Sequence, residues 1–160
     1  MKVDIGIIGA MEPEVCALID ALEEKNCETV SGVTFHTGKI AGKSVAIARC
    51  GIGKVFAALC AQTMIMKYSP DLIVNTGVGG GLAGGLSTGD IVVARDLCQH
   101  DMDTSAIGDP VGLVSGINMI YFESDARARE ILLSAAKDLG LKATEGRIAS
   151  GDKLDRKSVV

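Results

Sequence analysis

Residues 5–15 are the strongest indication of the fold, with the sequence Ile5-Gly6-Ile7-Ile8-Gly9-Ala10-Met11-Glu12-Pro13-Glu14-Val15. The apolar run over residues 3–8 predicts a buried strand that ends at Gly9. A helix is predicted over residues 11–22, because Pro13 is tolerated in a first turn and acidic side chains complement the helix dipole there. A strand, a glycine-bearing turn and a helix in this order are typical of α/β proteins.

The same alternation continues along the chain. Hairpin turns are predicted at Ser31-Gly32 and Ala41-Gly42. One helix is predicted over residues 54–67, with Val55, Leu59 and Met66 on its apolar face, and another from a cap at Ser124 to about Gly140. Strands are predicted over residues 33–39, 44–49, 72–74, 90–94 and 145–149, and loops over residues 77–85 and 99–116.

These elements predict an α/β fold with a largely parallel or mixed sheet, in a single domain over residues 1–160. The last predicted strand is followed by only a few residues before Val160, so we expect the fold to be truncated at its C-terminus.

Charge and composition argue against several classes of protein. The formal charge of −4 and the absence of a clear Lys/Arg cluster argue against nucleic-acid binding. The sequence contains neither a signal peptide nor an apolar run near the roughly 18 residues of a membrane span. Its five cysteines include no CxxC pair, which disfavours a disulfide framework or a zinc site. We therefore expect a cytoplasmic protein with reduced, mostly packed thiols.

Three glycine-bearing turns follow predicted strands, at Gly9-Ala10, at residues 51–53 and at residues 77–81. Each turn by itself either only reverses the chain or also lets a ligand approach the backbone. Three such turns at the ends of neighbouring strands favour a pocket, because ligands of open α/β sheets bind there. Residues 79–84 match GxGxxG, but a strand follows them instead of the helix that a dinucleotide site needs.

The acids nearest these turns are Glu12 and Glu14. Either both are solvated, or one of them faces the pocket as a base that is ionised at neutral pH. Glu14 shares a helical face with Leu18, and our hypothesis is that it points inward while Glu12 points elsewhere.

Two further motifs carry polar side chains. His100-Asp101-Met102-Asp103 is a weak metal motif, since His36 is far away in a hairpin, and a loop that shapes a pocket or a subunit contact is favoured. Asp152 is either a turn residue or a ligand contact. We expect no metal ion and no cofactor.

Six segments of the chain, in order, resemble methylthioadenosine/S-adenosylhomocysteine nucleosidases. They are residues 5–15, Cys50-Gly51-Ile52-Gly53-Lys54-Val55, Asn75-Thr76-Gly77-Val78-Gly79-Gly80-Gly81-Leu82, Gly89-Asp90-Ile91-Val92-Val93, His100-Asp101-Met102-Asp103 and Ser150-Gly151-Asp152. The resemblance implies the nucleoside phosphorylase type of fold, a mixed central sheet flanked by helices, in a homodimer. It implies hydrolysis of the N-glycosidic bond of 5′-methylthioadenosine and S-adenosylhomocysteine, releasing adenine, in methionine salvage and methyl-cycle turnover.

The resemblance also assigns roles to residues. Glu14 matches the base that activates water, and Ile107 matches a residue of the partner subunit that closes the alkylthio pocket. Leu154 matches an aromatic residue that packs on adenine, and Asp155 matches a residue whose backbone reads the adenine edge. The residues that match the lining around ribose, water and base are Ala10, Ile52, Val78, Gly79 and Gly80.

The departures from the family bear on the reaction. The Val-Glu-Met-Glu segment for the ribose hydroxyls and the Ser-Asp segment for adenine protonation would lie beyond Val160. Related phosphorylases carry Gly-Asp-Pro-x-Arg near residues 9–13, and some carry Arg and Thr where Asn75 and Val78 stand, so water is favoured over phosphate. The alternatives are a nucleosidase for 5′-deoxyadenosine or a futalosine-like substrate, a phosphorylase, or a non-catalytic fragment that binds a purine or only dimerises.

Overall fold

The computed structural model describes residues 2–153, which form two compact units that divide between Gly79 and Gly80. Each unit has its own sheet. The single domain expected over residues 1–160 stays a prediction.

The first unit contains a five-stranded mixed sheet in the order β2-β3-β4-β1-β5. β1 pairs in parallel with β4 and with β5, and β3 pairs antiparallel with both β2 and β4. The elements of this unit are β1 (Ile5–Gly9), α1 (Glu12–Asp20), β2 (Glu23–Val30), β3 (Val33–Ile40), β4 (Lys43–Arg49), α2 (Lys54–Tyr68) and β5 (Leu72–Asn75).

A helix covers each face of this sheet, because the buried strand β4 is apolar on both sides. Val45 and Ile47 pack in a cluster with residues of α1, and Ala46 and Ala48 pack in a cluster with residues of α2. Small alanines on the second face leave room for the larger Met64 and Tyr68 of α2, which are fully buried. The α/β class with a mixed sheet flanked by helices is confirmed.

The structure of this unit differs from the predictions in three respects. The first helix is shorter than residues 11–22, because Met11 is its N-cap and the chain leaves the helix after Asp20. β2 was not predicted, since most of its residues are charged or polar and almost all are exposed at a sheet edge. The apolar face predicted for α2 is exposed, with Leu59 at 59% and Met66 at 76%, while Cys60 on another face is buried.

The second unit contains a three-stranded sheet in the order β7-β6-β8, with β6 and β8 parallel. Buried Asp96 of β6 accepts hydrogen bonds from Arg147 of β8 at 2.5 and 3.0 Å and joins the two strands. The elements of this unit are β6 (Ile91–Gln99), a 3-10 turn (Ser105–Ile107), β7 (Phe122–Glu123), α3 (Ala126–Asp138) and β8 (Ala143–Ser150).

The last helix is capped by Asp125, and the predicted cap at Ser124 is wrong by one residue. The Asp125 carboxylate accepts the Ala128 N–H at 2.7 Å. The Ser124 hydroxyl instead donates to the carbonyl oxygen of Ala94, which attaches the start of the helix to β6. Sequence patterns cannot separate two adjacent residues that are both good caps.

The cysteines are all free thiols, but fewer are packed than predicted. Cys50 and Cys60 are buried, Cys98 is half-buried, and Cys16 and Cys27 are exposed. Within residues 2–153 no helix is long and apolar enough to cross a bilayer.

Candidate active site

In the first unit, backbone hydrogen bonds join the first two glycine turns to each other and join β1 to Thr76, directly before the third turn. The Cys50 N–H donates to the Gly9 carbonyl at 2.9 Å, and the Gly51 N–H donates to the Ala10 carbonyl at 3.2 Å. On the other side of β1, the Thr76 N–H donates to the Ile8 carbonyl at 2.9 Å. These bonds extend the parallel ladders past the carboxyl ends of β1, β4 and β5, so the turns form one continuous edge.

Glu14 lies at this edge, in the first turn of α1. Its Oε2 accepts the Met11 N–H at 2.8 Å, as the acidic half of a capping box, and its Oε1 accepts the Val78 N–H at 3.0 Å. The half-buried carboxylate is thus fixed between its own helix and the turn after β5. These two backbone donors could not be predicted from residue types, since any non-proline residue supplies an N–H.

Gly77 lets the carboxylate approach the turn after β5. A Cβ built on Gly77 would lie 3.1 Å from Glu14 Oε1, which is closer than ordinary van der Waals contact. Gly9 serves the same purpose beneath the helix, where a Cβ would lie 2.6 Å from Val15 Cγ1. Glycine at position 9 is therefore required by packing against α1, whereas a side chain at position 77 would displace the Glu14 carboxylate by a few tenths of an ångström.

Glu12 points away from this edge. It forms an exposed ion pair with Arg49, with Oε2 3.1 Å from the arginine nitrogen. Both side chains line a cavity of about 270 Å³ that also includes His36 and Thr34, and Glu14 is not among its lining residues. The structure thus separates the two acids as the helical periodicity suggested.

The predicted lining residues of the first unit lie on the three glycine turns. Val78 is 80% exposed and Ile52 is 74% exposed, while Ala10 is half-buried. Gly79 ends this unit and is exposed. An open, partly apolar edge with one fixed carboxylate is suited to a ligand that has both apolar and polar faces.

Two neighbouring side chains are also fixed at this edge. The Asn75 amide donates to the Ile8 carbonyl at 3.2 Å. Cys50 is buried directly before the second turn, and this burial raises the pKa of its thiol. The sequence pattern gives Cys50 no functional role of its own, and the raised pKa of its thiol makes it a weak nucleophile at neutral pH.

In the second unit, the two polar motifs lie together at the ends of β6 and β8. The Asp101 carboxylate accepts the Asp152 N–H at 2.7 Å, and the His100 N–H donates to the Ser150 carbonyl at 3.0 Å. A Cβ on Gly151 would collide with the His100 ring, so glycine is needed for this approach. Asp152 is therefore part of a capped turn, and whether it also contacts a ligand stays open.

The remaining predicted residues fall elsewhere. Gly80 is exposed at the start of the second unit, and Ile107 is 80% exposed in its 3-10 turn. Leu154 and Asp155 lie outside the described residues. No three His, Cys, Asp or Glu side chains within residues 2–153 are arranged to hold a metal ion.

The arrangement around Glu14 is suited to proton abstraction from a small nucleophile. An ionised carboxylate accepts about four hydrogen bonds, and the Met11 and Val78 N–H groups occupy one position on each oxygen. Each oxygen therefore keeps an acceptor position for water, while the backbone bonds hold the group still.

Comparison with known proteins identifies relatives over almost the whole chain. The family model of the phosphorylase superfamily matches residues 4–158. The 5′-methylthioadenosine/S-adenosylhomocysteine nucleosidase of Shewanella pealeana is 43% identical over 151 residues, which are 94% of this chain and 65% of that protein. The chain thus spans about two thirds of the length of this relative.

Solved structures give the same result for the fold. The 5′-methylthioadenosine/S-adenosylhomocysteine nucleosidase of Neisseria meningitidis, in complex with methylthio-immucillin-A, superposes with a TM-score of 0.90 at 34% identity, covering 94% of this chain and 65% of that one. A futalosine hydrolase mutant of Helicobacter pylori superposes with a TM-score of 0.89 at 30% identity, covering 96% and 70%.

Proposed function

The chain belongs to the phosphorylase superfamily, and we propose that it hydrolyses the N-glycosidic bond of 5′-methylthioadenosine and S-adenosylhomocysteine, releasing adenine, in methionine salvage and methyl-cycle turnover. Glu14 is the base that activates the attacking water in this proposal. The ribose and its leaving base lie over the glycine turns, next to Ala10, Ile52, Val78, Gly79 and Gly80.

The observation that carries the proposal is the fixed carboxylate of Glu14 at the carboxyl ends of three parallel strands. Cleavage of a purine–ribose bond passes through a transition state that resembles an oxocarbenium ion. A carboxylate beside the sugar stabilises this cation and accepts a proton from the water that attacks it. Because two backbone N–H groups already orient the carboxylate, little reorganisation is needed during the reaction.

The same geometry favours water over phosphate as the nucleophile. Phosphate needs charge-assisted donors, and here the group at the edge is an anion. Asn75 uses its amide on the Ile8 carbonyl, and Val78 has no hydroxyl to offer. Hydrolysis is therefore preferred to phosphorolysis.

The substrate is proposed from the relatives. The curated relative at 43% identity is named for 5′-methylthioadenosine and S-adenosylhomocysteine, and the Neisseria meningitidis structure holds methylthio-immucillin-A. The futalosine hydrolase has nearly the same fold similarity, so the fold by itself does not select between the two substrates. The higher identity to the methylthioadenosine enzymes supports the proposed choice.

The test measures adenine release and the incorporation of labelled oxygen from water into the sugar product. The purified protein is incubated with 5′-methylthioadenosine in phosphate-free buffer containing H₂¹⁸O, and adenine and the sugar product are measured. We expect adenine release with the label in the new hydroxyl of the sugar. Release that requires phosphate would contradict the proposal in favour of a phosphorylase. Adenine binding without any release would contradict it in favour of the purine-binding alternative.

We also propose that the protein is a cytoplasmic homodimer in which Ile107 of one subunit closes the alkylthio pocket of the other. The exposed apolar face of α2, with Leu59 and Met66, supports an interface, since apolar side chains of this size are usually covered. The five free thiols support a reducing compartment. Light scattering should give twice the chain mass for the wild type and a single chain mass for Leu59→Glu, whereas a monomeric wild type would exclude the dimer.

A further inference from the structure

The loop after Val78 is held by little packing. Seven of the thirteen residues in 77–89 are glycine. Gly84, Gly85 and Gly89 are open, because no heavy atom of the described residues, apart from the glycine itself and its two chain neighbours, lies within 4 Å of the position where a Cβ would stand. Glycine loses more backbone freedom on ordering than any other residue, so this loop needs specific polar contacts to keep one conformation.

Charged side chains supply such contacts at both ends of the loop. At the first end, Glu14 accepts the Val78 N–H at 3.0 Å. At the far end, the Lys142 ammonium donates to the Gly85 carbonyl at 2.9 Å and to the Asp90 carboxylate at 2.5 Å. The same Asp90 oxygen accepts the Ser87 N–H at 2.9 Å.

Lys142 is itself anchored. Its carbonyl accepts the Ile91 N–H at 2.9 Å, at the start of the β6–β8 ladder. Its partner Asp90 is largely buried, with 12% of the side chain exposed. The ammonium therefore connects the least packed part of the loop to a paired strand, over 57 residues of sequence.

We infer that Lys142 is a positioning residue. It latches the far end of the glycine loop at Gly85 and Asp90, and this latch keeps the residues directly after Val78 in the conformation that receives the ribose. The inference rests on the proposed function for the identity of the ligand. The latch itself concerns only the conformation of the loop, which can be measured without turnover.

Loss of the Lys142 contact should weaken ligand binding more than it slows the chemical step. When a binding-competent state is only partly populated, the apparent dissociation constant rises in inverse proportion to its population. The bound loop has the same conformation once the ligand has selected it, so kcat should change little. Because the Lys142 side chain is 63% exposed, we expect its loss to weaken binding by about two- to tenfold.

The experiment compares the wild type with Lys142→Met, with the conservative Lys142→Arg and with the control Lys137→Met. Lys137 lies in the last turn of α3, and no side-chain hydrogen bond or ion pair of Lys137 is present among residues 2–153. Backbone order parameters of Gly84, Gly85 and Gly89 are measured by NMR relaxation. The dissociation constant of 5′-methylthioadenosine and the KM and kcat of adenine release are then compared.

We expect the order parameters in Lys142→Met to fall towards the flexible range, below about 0.6, with KM and the dissociation constant raised and kcat retained. Lys142→Arg should keep much of the wild-type loop order and ligand affinity, and Lys137→Met should match the wild type in both. Unchanged order parameters in Lys142→Met would overturn the latch. A more mobile loop with an unchanged dissociation constant and KM would overturn the positioning role. A wild type that binds no methylthioadenosine would instead defeat the proposed function, and the order parameters would still decide the latch.

Discussion

Gly77 offers a way to displace the Glu14 carboxylate without removing it. A Cβ at this position would lie 3.1 Å from Glu14 Oε1 and 3.5 Å from its Cδ, so the carboxylate must shift by a few tenths of an ångström. The backbone of Gly77 is outside the left-handed region, and alanine can adopt its conformation. Gly77→Ala therefore changes the site by steric contact alone.

The expected effects on rate and on stability have opposite signs. A misplacement of about 1 Å can reduce a rate about 10²-fold, so a shift of a few tenths should reduce kcat/KM about three- to tenfold. Replacement of a glycine by alanine at a compatible position stabilises by about 0.4–1 kcal/mol, because it restricts the unfolded chain. We expect the free energy of unfolding of Gly77→Ala to equal or exceed that of the wild type.

The assay is the initial rate of adenine release in phosphate-free buffer, with urea unfolding measured on the same samples. Gly84→Ala is the matched control, since a Cβ there would meet nothing within 4 Å and its backbone is also compatible with alanine. The control should keep its rate. If Gly77→Ala retains the wild-type kcat/KM, or if Gly84→Ala loses as much, the position of the carboxylate does not control the reaction and the reasoning is refuted.

Three further predictions concern single residues. Glu14→Gln should lower kcat by about 10²–10⁴-fold, while Glu12→Gln, which loses only an exposed ion pair, should keep its rate; equal losses in adenine release would show that the wrong acid was chosen. The hydrogen bond from Arg147 holds the pKa of Asp96 at about 2, below its unfolded value of about 3.9, so its stabilisation is present above that value and is lost as the pH falls towards 2. Asp96→Asn should therefore lose less unfolding free energy than the wild type between about pH 5 and about pH 2.5, and equal losses in urea titrations would argue against the pairing. Gly9→Ala should lower the free energy of unfolding by about 1–3 kcal/mol, because its Cβ would lie 2.6 Å from a methyl group of α1; a neutral result in the same titrations would contradict the close packing.

The three parallel strands of the first unit could be predicted because they are largely apolar. β1, β4 and β5 are short apolar runs that end in glycine or polar turns, and the structure contains them within a few residues of the predicted bounds. Two other edge strands, β2 and β7, were harder to predict. β2 is mostly charged or polar, and β7 is only two residues long, so both depend on backbone pairing with a neighbour and leave little pattern in the sequence.

The exposed face of α2 illustrates a different limit. Apolar residues at helical spacing predicted one apolar face, but the side buried in this unit contains Cys60, Met64 and Tyr68, while Leu59 and Met66 are exposed. When a helix carries apolar residues on more than one side, their spacing does not show which face is buried. The Tyr68 ring packs in the core, and its hydroxyl stays satisfied there because it donates to Glu28 at 2.6 Å. That contact is not visible in the sequence.

The candidate site was predictable in its parts but not in its contacts. The glycine turns and the two acids can be read from the sequence, and helical periodicity favoured Glu14 over Glu12. The donors that fix Glu14 are backbone N–H groups of Met11 and Val78, and the tertiary fold alone brings Val78 into reach. The latch formed by Lys142 depends on residues more than fifty positions apart, which no local pattern connects.

The most direct measurement of the central claim is a crystal structure of the protein with a non-hydrolysable methylthioadenosine analogue. We expect a water molecule between the Glu14 carboxylate and the anomeric carbon of the sugar, within about 2.6–3.2 Å of a carboxylate oxygen, with the Met11 and Val78 bonds intact. A sugar bound away from the glycine turns, or a Glu14 carboxylate that leaves them when the analogue binds, would contradict the account.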